Sequence, residues 1–145
     1  MILGLDISTS ITGATVIDEN GKVVYNEAWD LRKYKEFFQK AEVIKGKIWE
    51  LEDTFLIKEI YIEQSLQLKP EYIAATSARK KCGIKVPKGT KAKQVIIQYV
   101  LDNVPSVLIE YTKHGNPKPH CFDKADSWVI ANAGYICQTE KSAQS

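Results

Sequence analysis

Four carboxylates stand out by their surroundings. Asp6 lies inside Ile2-Leu-Gly-Leu-Asp-Ile7, which reads as a β-strand apolar on both faces. Glu63 ends the alternating stretch Glu59-Ile-Tyr-Ile-Glu63, at a position where the pattern would otherwise continue into a core. Asp123 and Asp126, in Phe122-Asp-Lys-Ala-Asp-Ser-Trp-Val-Ile-Ala131, are three residues apart and so share one face of a helix. Either aspartate alone reads as an acid in the first turn, favoured there by the macrodipole and the free N–H groups. A carboxylate within a covered strand is costly unless it is paired or ligates a cation.

A helix packed beside the two strands would bring all four acids together. Like charges that close cannot all stay ionised without a compensating cation. An all-oxygen donor set lacking Cys and His suits Mg²⁺ or Mn²⁺, and two such ions about 4 Å apart form a clamp for in-line displacement at a phosphodiester.

The elements that must position these acids follow from the pattern. Strands are expected over residues 2–7 and 12–17, then a tight hairpin at Asn20-Gly21 because both residues tolerate positive φ, then a returning strand over 22–28. Tyr34, Phe37, Phe38, Ala41, Ile44, Ile48, Leu51 and Phe55 recur at steps of three and four, predicting a helix over 33–55 that covers one sheet face. The strand over 58–64 follows it as a parallel neighbour. Thr90 is a good N-cap for a helix ending near Asn103, a Gly- and Pro-containing loop spans 114–120, and the last helix is expected over 123–136.

A chain of 145 residues fits one domain, expected over 1–137, with 138–145 as a polar, loose tail. Its 44% hydrophobic and 26% charged residues are those of an ordinary globular protein. No apolar run approaches the ~20 residues that span a bilayer, so no membrane partner is expected. Cys82, Cys121 and Cys137 cannot all pair and form no CxxC, which points to a reducing cytosol. His114, His120, Cys121 and Cys137 match no zinc spacing.

The net charge of +2 conceals an asymmetry: residues 72–101 carry seven bases and no acid, against 18 acids and 13 bases elsewhere. Arg79, Lys80, Lys81, Lys85, Lys88, Lys91 and Lys93 form this block. It reads equally as a solvated face or as the electrostatic footprint of a polyanion site.

In order along the chain, the strand around Asp6 with its following Ser-Thr-Ser and Thr-Gly, the Ile-Glu63-Gln strand end and the Asp123/Asp126 helix resemble the three acidic motifs of RuvC-type Holliday junction resolvases, especially phage-borne ones. The resemblance implies an α/β, RNase H-like mixed sheet flanked by helices. It further implies Asp6, Glu63, Asp123 and Asp126 as ligands of two Mg²⁺ or Mn²⁺ ions, four-way DNA junctions as substrate, a homodimer, and a bacterial or phage-infected cytosol. It also implies hydrolysis that leaves a 5′ phosphate and a 3′ hydroxyl. Lys93 resembles the basic residue placed near the scissile phosphate, with Lys91 its close competitor.

The pattern departs from that family in three places. Only Ser65-Leu-Gln-Leu-Lys69 stands where the family has a long helix that helps form its dimer interface, too short for a parallel return of roughly a dozen residues. The next segment reads either as a strand over 71–75 or as a helix from Pro70 to Cys82 stopped by Gly83. Leu66 stands where some members carry an aromatic that wedges into the junction; Leu can insert between bases, less effectively. The segment around Arg79, Lys80 and Lys81 does not align uniquely. Two alternatives accompany a junction nuclease: a junction binder that does not cut, and a fragment of an actin-like ATPase, suggested by Gly4-Leu-Asp6. The ATPase would need two lobes and phosphate-binding glycines that the chain does not offer.

Overall fold

The computed structural model describes residues 1–63 and 72–144. Five strands form one sheet: β1 (Ile2–Asp6), β2 (Ile11–Ile17), β3 (Val23–Asp30), β4 (Glu59–Glu63) and the two-residue β5 (Tyr72–Ile73), in the order β3-β2-β1-β4-β5. β1, β2 and β3 form an antiparallel meander, while β4 pairs parallel with β1 and β5 parallel with β4. Helix α1 (Phe37–Thr54) lies on one face; α2 (Ala75–Lys81), α3 (Ala92–Asn103) and α4 (Pro119–Ala143) gather on the other.

Alternation along β1 sorts its side chains between the two layers. Leu3 and Leu5 pack with Leu51, Ile44 and Ile48 of α1, whereas Ile2 packs with Ile130 of α4. Ile60 and Ile62 of β4 join the α1 layer and Tyr61 the α4 layer. The central strands are covered on both faces, as their apolar character demands.

Several expectations are corrected. The β4–β5 pair is parallel despite the short connection: among the described residues Tyr72 pairs with Ile62 and Ile73 with Glu63, at the C-terminal end of β4. The segment after it resolves the strand-or-helix alternative as both, a short strand and then α2, with Gly83 at φ +73° beyond the helix. In the hairpin only Gly21 takes positive φ, because Asp18 organises the turn, its carboxylate accepting the Asn20 and Lys22 N–H groups at 2.9 Å each. Thr90 does not cap α3: its hydroxyl donates to the Pro87 carbonyl at 2.6 Å, and Lys91 holds the cap position. α1 begins at Phe37, not residue 33, and Phe37 and Phe38 point to solvent instead of covering the sheet.

The largest difference concerns α4. Pro119, whose fixed φ suits the first helical position, starts the helix four residues before the expected Asp123. The helix then runs on to Ala143, through the segment expected to be a loose tail. Asp123 and Asp126 therefore stand beyond the first turn, where neither capping nor free N–H groups account for them.

Candidate active site

Asp6 and Glu63 end two adjacent parallel strands. Leu5 pairs with Ile62, so the acids that follow them lie side by side, and both face α4 because Leu5 and Ile62 face α1. Asp6 is thus at the rim of the sheet, not in mid-strand as the sequence suggested.

Helix α4 reaches this rim because three glycines let it lie unusually close. A Cβ on Gly4 would stand 2.5 Å from the Ala131 nitrogen, one on Gly13 would strike the Asp123 carbonyl oxygen, and one on Gly134 would stand 2.6 Å from the Tyr61 ring. A buried polar network fixes the register. Thr15 and Ser127 hydroxyls are 2.7 Å apart, and the Asn26 amide donates to Thr15 Oγ1 at 2.6 Å and to the Lys124 carbonyl at 3.1 Å. Sequence reasoning missed this network and these contacts; the available signal was glycine within two strand patterns, which marks close backbone approach.

The result is a cavity of about 210 Å³ lined by Asp6, Glu63, Asp126, Arg79 and Lys93, with Ala75, Ala78 and Ala92 among its small walls. Asp123 does not line it but lies near enough to repel Asp6 and Asp126. Lys93 Nζ is 4.0 Å from Asp126 Oδ2. Burial, then repulsion from Asp126, Glu63 and Asp123, pushes the Asp6 carboxyl up to about 7, against the opposing pull of Lys93. Burial also pushes Asp126 up to about 6, with Lys93 and Arg79 opposing it and Glu63 and Asp123 adding to it. Asp123 is raised chiefly by burial, opposed by Lys93, a backbone hydrogen bond and His120.

Crowded, partly buried carboxylates that hold protons near neutrality are a donor set suited to a hard divalent cation. Among the described residues no three His, Cys, Asp or Glu side chains are already arranged to hold one ion, so binding would require these carboxylates to close in. The same holds for the zinc alternative: His120 pairs with Glu110 at 3.2 Å and Cys121 is buried under the Glu110 backbone.

Of the basic block, Arg79 and Lys93 enter the cavity, while Lys91, the competitor of Lys93, does not line it. Lys80 and Lys85 line, with Arg79, a neighbouring cleft of about 280 Å³. Lys88 and Lys91 are exposed ahead of α3. Lys81 is occupied otherwise, its ammonium 2.7 Å from Glu140 of α4. Leu66 lies outside the described residues.

The chain, a mixed five-stranded sheet with helices on both faces, has the RNase H-like α/β fold. Its fold is that of RuvC. The chain superposes on Thermus thermophilus RuvC in complex with a Holliday junction substrate with a TM-score of 0.60, at 11% identity over 95% of this chain and 94% of that one. A second Thermus thermophilus RuvC structure gives 0.53, at 13% identity over 96% of both chains. No protein-family model matches the sequence, and no curated protein does. Among the described residues no helix is long and apolar enough to cross a membrane.

Proposed function

We propose that the chain is a divalent-metal-dependent endonuclease acting on branched DNA, with the four-way junction as its preferred substrate. The reading is carried by one observation: Asp6, Glu63 and Asp126 face a single cavity whose remaining charged walls are Arg79 and Lys93. The RuvC-like fold, and a neighbour of that fold seen with a Holliday junction, support the choice of substrate.

Asp6, Glu63 and Asp126, with Asp123 at the edge, would hold one or two Mg²⁺ or Mn²⁺ ions, which supply positive charge against the scissile phosphate and its leaving oxygen. The chain's own groups do the rest. Arg79 and Lys93 bind the non-bridging phosphate oxygens and orient the backbone. A carboxylate oxygen left free by the ion would take the attacking water's proton. Water adds to phosphorus in line, the P–O3′ bond breaks, and the products are a 5′ phosphate and a 3′ hydroxyl. Lys80, Lys85, Lys88 and Lys91 extend the positive surface along the duplex arms, so affinity falls steeply with salt.

The test compares a labelled four-way junction with matched linear duplex, in Mg²⁺, in Mn²⁺ and in chelator. Junction-selective nicks that vanish in chelator and in Asp6→Asn are expected. Junction binding without any cutting would instead favour a non-cleaving binder. Tight ATP binding by calorimetry would replace both with the ATPase alternative.

A further inference from the structure

Helix α1 borders a second concave site that the proposed chemistry does not use. A groove of about 540 Å³ is lined by Ile44 and Ile48 and by the rings of Phe37 and Trp49, which are 70% and 57% exposed. Its volume falls within the roughly 300–1,000 Å³ of small-ligand sites. Ile7, Ser8 and Thr9, the residues directly after Asp6, complete it. Asp6 lines the cavity on the α4 side and Ile7 the groove on the α1 side, so the two sites meet at one rim of the sheet.

Hydrogen bonds fix the groove's shape. The Lys40 ammonium donates to the Thr9 carbonyl at 2.5 Å, tying α1 to the turn after β1. Within that turn the Ser8 hydroxyl donates to the Ile11 carbonyl at 2.6 Å, and its oxygen accepts the Ser10 and Ile11 N–H groups at 3.3 and 3.0 Å. α1 as a whole carries three lysines and four acids, and so offers no general attraction to a polyanion. The groove differs from its helix: its charged lining is Lys40 and Lys45, with no acid. The Lys45 ammonium lies 4.7 Å from the centre of the Trp49 ring, and Glu42 approaches it to 3.7 Å from outside the groove. Exposed rings with two cations beside them suit a ligand that joins a flat apolar face to separate negative charges, which describes a nucleotide.

We propose that this groove is a stacking site for an unpaired nucleotide of the DNA strand whose phosphate lies at the acids. Thr9 is three residues from Asp6, at most about 11 Å along the backbone. About three nucleotides cover that distance at 3.4 Å each. The base stacks on Trp49 or Phe37, and Lys40 and Lys45 take the adjoining phosphates. Bases lose their partners at branch points, so a site that binds an unpaired base beside the cut favours branched DNA over linear duplex. The inference rests on the nuclease reading for the path of the strand, and adds to it a source of substrate preference. An apolar protein segment would match the rings but not the two lysines.

Tryptophan fluorescence of the full chain in chelator tests it, because Trp29 and Trp128 are buried and Trp49 alone of the three is exposed. A short oligothymidylate should quench the emission to saturation, while an abasic strand of equal length and charge should not. Trp49→Phe should abolish the quenching. Phe37→Ala should weaken binding of a labelled oligothymidylate, read by anisotropy, by about five- to a hundredfold, the range for one stacked base. Leu56→Ala, exposed outside the groove, should change nothing, and unchanged circular dichroism melts report intact folding. Equal quenching by the abasic strand, no quenching at all, or affinity indifferent to Phe37→Ala overturns the proposal. So does thymidine monophosphate binding as tightly as the oligomer, which would make this a free-nucleotide site, or self-association abolished by Phe37→Ala without quenching, which would make it a protein contact. Junction cutting without base-dependent quenching defeats this inference and leaves the nuclease reading standing; base-dependent quenching without cutting upholds the stacking site and defeats the nuclease reading alone.

Discussion

Asp6→Asn should stabilise the metal-free protein, and do so increasingly as pH rises. The folded carboxyl titrates near 7 against a reference of 3.8, so between those values the native state binds more protons than the unfolded chain. Stability therefore falls as pH rises through this window and levels off above it. A difference of about three units corresponds to roughly 4 kcal/mol at pH 8; Asp6 borders an open cavity whose solvent screens part of this, so an observed 1–3 kcal/mol is expected. Asp126 shares the same repulsion, and the two contributions are not additive. Removing the charge with Asn relieves the strain at pH 8 and does little at pH 4. Urea unfolding followed by circular dichroism, in chelator at both pH values, reads this directly. Added Mg²⁺ at pH 8 should stabilise wild type, by about 1.4 kcal/mol at ten times its Kd, and the Asn variant less. An Asn variant less stable than wild type at pH 8, or a change equal at both pH values, refutes the account of crowded acids.

Three further outcomes follow from the packing and the surface. Gly13→Ala should cost about 1–3 kcal/mol, because its methyl group meets the Asp123 carbonyl and pushes α4 from the sheet, and the thermal midpoint should drop accordingly. Gly46→Ala should raise stability by about 0.5–1 kcal/mol, since a Cβ there meets nothing within 4 Å and alanine lowers the entropy cost of the helix; urea midpoints check it. Lys93→Ala should lower junction affinity and make the slope of log affinity against log salt shallower by about one counterion, measured by fluorescence anisotropy in chelator.

What could be read from the chain alone was whatever depends on local periodicity. The two-residue period of β1 and β4 and the three-to-four-residue period of α1 located the elements and put Glu63 at a strand end, while Asp6, expected in mid-strand, ends β1 beside it. Boundaries depended on competing local chemistry and were less legible: Pro119 outweighed the loop character of residues 114–120, and Lys91 took the cap position expected of Thr90. The cavity-lining role of Arg79 was not separable from that of Lys80 or Lys81, because adjacent residues of one short helix differ only in direction. That direction is set by packing: Ala78 is buried beneath α4, which turns Arg79 to the cavity, while Lys81 reaches Glu140.

The same limit explains why the positioning of α4 was invisible while its acids were not. A carboxylate in an apolar pattern announces itself by cost, since burial without compensation is selected against whatever the fold. Gly4, Gly13 and Gly134 carry no such mark; each is an ordinary residue until the opposing backbone is in place. Yet they decide the chemistry, because with a methyl group at Gly13 the Asp123 turn moves outward and Asp126 with it, and the cavity loses the helix-borne acid that faces Asp6. Thr15, Asn26 and Ser127 act in the same way: none touches the cavity, but their buried hydrogen bonds hold α4 in one rotational setting about its axis. A helix turned by one residue would rotate Asp126 by about 100° and leave two strand acids without a third. The site is thus written twice in the chain, once in the acids that would bind a cation and once in the small and hydroxyl residues that bring them to it.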